Sequence, residues 1–84
     1  MKIKQGYILN EIGGESVVTR EEGELDMMIQ LNATGAALWK ALETETDLDG
    51  LTAVLTANFA VDAAKARASA AAFVEKLKEN DLLE

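Results

Sequence analysis

The sequence predicts an α+β fold, three antiparallel strands followed by three helices, on the strength of three observations. Glycines and β-branched residues gather in short runs up to about Asn32, with Gly6, Gly13, Gly14, Gly23 and the nearby Gly35. Beyond that point Ala, Leu and Glu dominate, only Gly50 remains and proline is absent, which is helix composition. Asn32, Thr46 or Asp47, and Asp62 each stand where a side-chain oxygen can cap the free amides of a first helical turn.

Each element follows from local signals. Tyr7 to Ile12 and Ser16 to Arg20 flank Gly13-Gly14, a pair that tolerates the positive φ angles of a two-residue hairpin turn. A polar stretch, Glu21-Glu22-Gly23-Glu24, leads to a third short run, Met27 to Leu31. Sequential strands usually lie side by side, so an antiparallel meander is the simplest sheet. Ala36, Leu38, Trp39 and Leu42 make an apolar stripe at helical spacing after Asn32. Leu48, Leu51, Val54, Leu55 and Phe59 do the same for a second helix. Ala66, Ala70, Phe73 and Leu77 mark a third and longer one, and Leu82-Leu83 should pack back on the body. The lone Trp39 reads as the centre of the core, surrounded by Leu31, Leu38, Leu42, Leu55, Phe59, Phe73 and Leu77. No repeat or linker interrupts the chain, so a single domain over residues 1–84 is expected.

Composition excludes several classes of function. A chain of 84 residues buries about 60–65% of its extended surface, enough for one compact core. It contains neither Cys nor His. That removes disulfides, thiolate zinc sites, a thiol nucleophile and the usual general base. Fifteen acidic against eight basic residues give a net charge of -7, which repels the phosphates a nucleic-acid binder must contact. No apolar run approaches the roughly 20 residues of a membrane span. The expectation is a cytoplasmic, non-catalytic binding module with no cofactor or metal of its own.

The acidic clusters support no site. Glu45, Asp47, Asp49 and Gly50 resemble the start of a calcium loop, but the twelfth position, which needs a bidentate Glu, is Thr56. Glu21, Glu22, Glu24 and Asp26 lie in a polar, glycine-containing loop that offers no pocket to shift their pKa values apart. Ser16, Ser69, Thr19, Thr34 and Tyr7 have no His to activate them.

The third strand carries more information. Met27, Met28, Ile29 and Leu31 make it apolar on both faces, and a meander places it at an edge. Edge strands are normally guarded by Lys, Pro or bulges, and these five residues include no such guard. An open edge accepts a guest strand through main-chain hydrogen bonds, and Met adapts to varied partners. The expected peptide-binding residues are therefore Met27, Met28, Ile29, Gln30 and Leu31. Turning Phe73 and Leu77 inward puts Arg67, Ala71, Val74 and Lys78 on one flank of the last helix, as a wall for the groove. Lys65, Ser69, Ala72 and Lys76 then form the opposite flank, and the sequence does not choose between the two.

The order of elements, the segment Leu31-Asn32-Ala33-Thr34-Gly35-Ala36-Ala37-Leu38-Trp39 and the later Val61-Asp62, Ala66-Arg67 and Phe73 resemble the PqqD family over essentially the whole chain. Ser69 departs from the pattern, since many relatives carry an acid there, and Ala68 to Ala72 replace larger residues. The resemblance implies a winged-helix-like domain, a peptide chaperone or RiPP recognition element. Such a domain binds the leader segment of a ribosomally made precursor peptide as an added strand. It presents the core peptide to a modifying enzyme, typically a radical S-adenosylmethionine protein whose cofactors are its own. It further implies capping, close packing and core roles for Asn32, Gly35 and Trp39. Two other readings stay open: a homodimerising scaffold joined through the open strand, and a winged-helix DNA-binding regulator, which the net charge opposes.

Overall fold

A computed structural model describes residues 1–20 and 28–84. Gly13 and Gly14 both take positive φ, 59° and 82°, the geometry that matches a two-residue turn to the right-handed twist of its strands. They join β1 (Tyr7–Ile12) to β2 (Glu15–Arg20), so β2 starts one residue earlier than its β-branched run suggests. β3 (Met28–Leu31) pairs with β2, and all neighbours in the order β1-β2-β3 are antiparallel. Met27, together with Glu21, Glu22, Glu24 and Asp26, lies outside the described residues.

The register divides the sheet into two faces. Leu9, Val18 and Ile29 stand opposite one another on the inner face, and Val18 is fully buried. On the outer face Asn10 donates to the Thr19 hydroxyl at 2.8 Å, while Ile8 and Ile12 remain exposed.

Three side-chain caps start the three helices. Asn32 accepts from the Gly35 amide at 2.8 Å ahead of α1 (Ala33–Leu42). Asp47, in preference to Thr46, accepts from Gly50 ahead of α2 (Leu48–Asn58), and Asp62 from Lys65 ahead of α3 (Ala63–Glu79). Trp39, Leu38, Leu42, Leu51, Leu55, Leu77 and Val18 make the core, with Leu31 at its edge. Phe59 and Phe73 stand at its margin, only partly buried.

The chain ends are tied together. Asp81 takes a left-handed φ of 58°, which turns Leu82 into the core beneath α3. Ile3 then bridges Leu83, flanked by bonds from the Lys4 amide to the Leu82 carbonyl and from the Glu84 amide to the Lys2 carbonyl. The carboxylates of the apparent calcium motif go to separate structural partners. Glu45 meets the N-terminal ammonium, Asp47 caps α2 and Asp49 pairs with Arg67.

Candidate functional site

β3 is the last strand of the sheet, and among the described residues no strand lies on its other side. Every second residue of an edge strand turns its N–H and C=O outward, so β3 presents an unused half-ladder. Its Ile29 and Leu31 side chains pack on the core and Gln30 is exposed. Of the five residues expected to bind a peptide, Met28 to Leu31 form this strand and Met27 lies outside the described residues.

A cleft opens where β3 runs into α1. Thr34 and Gly35 form one wall; Ser69, Ala72, Phe73 and Lys76 of α3 form the other, enclosing about 310 Å³. Gly35 makes this close approach feasible. A Cβ at that position would stand 3.4 Å from both the Phe73 ring and Leu31, and 3.1 Å from the Asn32 side-chain oxygen. A larger cleft of about 700 Å³ lies between the hairpin and α1, bridged at its rim by Lys40 and Glu11 at 3.1 Å. It is lined by Glu11 of β1, Glu15 and Ser16 of β2, Leu31 at the end of β3 and residues of α1, with no contribution from α3. The smaller cleft starts at Asn32, the residue after β3, and reaches the last helix.

The structure takes Val74 out of the expected helix wall. Val74 is buried, 6% exposed, in one stripe with Ala66, Ala70 and Leu77. α3 is therefore rolled relative to the orientation in which Phe73 is central. Small residues at 66 and 70 leave room for Val74 to pack inward, and Gly35 gives the larger Phe73 ring a place at the margin. Arg67, Ala71 and Lys78 share the flank on which Arg67 reaches Asp49 of α2 at 2.6 Å, away from the cleft. The flank that does line it carries Ser69, Ala72 and Lys76. The pair that holds Arg67 on this side joins two different helices, so no local signal in α3 announces it.

Charges on the two flanks differ. Arg67 is paired with Asp49, and Lys78 lies 3.7 Å from Glu75. Lys65 and Lys76 have no ion-pair partner among the described residues. Within the same residues no group of three or more acidic side chains is placed to hold a metal, and no helix is long and apolar enough to cross a membrane.

Fold and site together define a small α+β domain whose open strand edge ends beside its last helix. The model of the family described as Coenzyme PQQ synthesis protein D (PqqD) matches residues 4–83, and the chain belongs to that family. Two solved structures share its fold at 24% identity. One, "TbiB1 in Complex with the TbiA(beta) Leader Peptide", has a TM-score of 0.80 and a match covering 100% of this chain and 95% of that one. The other, "Lasso peptide synthetase B1 complexed with the leader peptide", has a TM-score of 0.74, with 96% and 93% covered. No curated protein matches the sequence.

Proposed function

We propose that this chain is a non-catalytic recognition domain for the leader segment of a ribosomally made precursor peptide. The leader adds as a strand to the free edge of β3 and passes the cleft beside α3; the core peptide that follows it is thereby held for a modifying enzyme. The observation that carries this reading is the open edge of Met28–Leu31, from which the chain runs on through Asn32 into a cleft walled by α3. Membership of the PqqD family supports it, as do two solved proteins of the same fold that hold leader peptides. A chain without His or Cys is suited to holding a peptide and leaving the chemistry to a partner. The partner implied by the family is a radical S-adenosylmethionine enzyme, which brings its own cofactors, and the setting is the cytoplasm, where precursor peptides leave the ribosome.

The same edge would also join two copies of the chain, but each carries a net charge of -7 and repels the other. The deciding experiment is a titration of isotope-labelled protein with a candidate leader peptide, with light scattering on the same samples. Amide shifts concentrated in residues 28–31 of a monomer are expected. Shifts confined to other elements would overturn the reading, and a dimer sealed through β3 that the peptide does not open would replace it.

A further inference from the structure

The two flanks of α3 treat their cations differently. Four of the chain's eight basic residues are on this helix: Lys65, Arg67, Lys76 and Lys78. Arg67 and Lys78, on the flank turned to α2, are matched by Asp49 and Glu75. Lys65 and Lys76 share the other flank with Ser69 and Ala72, at successive turns of one stripe, and have no ion-pair partner among the described residues. In a protein with fifteen acids, two unmatched lysines on a single stripe are a local excess of positive charge.

Helix stability does not account for both. Lys76 belongs to the last turn of α3, where a cation complements the negative end of the helix dipole. Lys65 is in the first turn, beside the positive end, and the carboxylate at that end, the Asp62 cap, is taken by the Lys65 backbone amide. The helix dipole thus gives a reason for Lys76 and none for Lys65. The two positions are eleven residues apart, about 16 Å along the helix axis, the reach of roughly five residues of extended strand.

We propose that the guest strand is acid-bearing, with one carboxylate taken by Lys76 at the cleft and a second, nearer the start of α3, by Lys65. The inference rests on the leader-binding reading and adds the chemistry that selects the leader. Lys76 lines the cleft with Phe73, so an acidic residue there sits beside an apolar surface that partly excludes water and strengthens the pair.

The test is a display selection of random ten-residue peptides on the immobilised full-length chain. Wild type, Lys76→Glu, Lys65→Glu and Arg67→Glu are run in parallel, with circular dichroism confirming each fold. The wild-type pool is expected to be enriched in Asp and Glu. The Arg67→Glu pool should match it, and the two lysine variants should lose acids and gain Lys or Arg. The best wild-type peptide should bind Lys76→Glu about tenfold more weakly, and Lys76→Met about threefold more weakly, with a flatter salt dependence. Peptides that shift the amides of residues 28–31 without acidic enrichment, or with enrichment that survives both lysine reversals, would overturn the inference alone. A selection yielding no peptide, or only peptides that leave those amides unmoved, would overturn the leader-binding reading with it.

Discussion

The Phe73 ring edge stands 3.4 Å from the point a Cβ on Gly35 would occupy, so the two residues meet at the floor of the cleft with room for a methyl group and nothing larger. Alanine adds a single atom there, and the helix propensity it gains, about 1 kcal/mol, offsets the crowding of the Asn32 cap oxygen. A branched side chain has no such compensation. Gly35→Val is expected to displace the ring and destabilise the domain by about 1–3 kcal/mol. At about 4–8 °C per kcal/mol for a domain this size, the loss is visible in a thermal melt. Leader titration of the folded fraction should show weakened binding, because the ring forms the cleft wall.

Much of this fold is legible in the sequence because its signals are local. Asn32, Asp47 and Asp62 announce three helix starts, Gly13-Gly14 announces the hairpin, and Trp39 sits on an unambiguous apolar stripe. The open third strand follows from the meander. The roll of α3 is different. Ala66, Ala70 and Leu77 fix the middle of its buried stripe, and Phe73 and Val74 stand on either side of it at nearly equal angles. Hydrophobicity favours Phe73, but the space it needs is set by Gly35 on another helix, and Arg67 is drawn outward by Asp49 on a third. Both determinants are tertiary. The bridge from Ile3 to Leu83 is equally invisible, since nothing near either end of a chain indicates that the ends meet.

Val74 separates the two possible rolls by experiment. Buried in the core, it loses two methyl groups in Val74→Ala, which is expected to cost about 2 kcal/mol of stability. Peptide affinity, measured well below the melting transition, should stay at the wild-type value because the side chain does not reach the cleft. A variant of unchanged stability and weakened binding would instead put Val74 on the groove wall.

Arg67 makes the complementary case on the surface. Its pair with Asp49 is exposed, at 56% and 82% of the side-chain surfaces, so it contributes under about 1 kcal/mol. Arg67→Glu places like charges together and should lower the melting temperature slightly. Leader affinity should remain within about twofold of wild type in ordinary salt, because a charge on the α2 flank is screened from the cleft. Isothermal titration at two salt concentrations checks this; a large loss that disappears at high salt would return Arg67 to the groove.

The sharpest expectation concerns the backbone of β3. Ile29 and Gln30 are neighbours, so their N–H groups point to opposite edges of the strand, one towards β2 and one towards open space. Proline removes an N–H, and a strand tolerates it only where that N–H is not already bonded. Ile29→Pro and Gln30→Pro should therefore behave differently in the melt: one breaks the β2–β3 ladder and lowers stability, while the other keeps it. The variant that keeps its stability lacks a donor on the free edge, and the leader should no longer bind it. Circular dichroism and a leader titration on each protein decide the matter. Full binding by the stable variant would mean that the guest is held by side chains alone, without strand pairing.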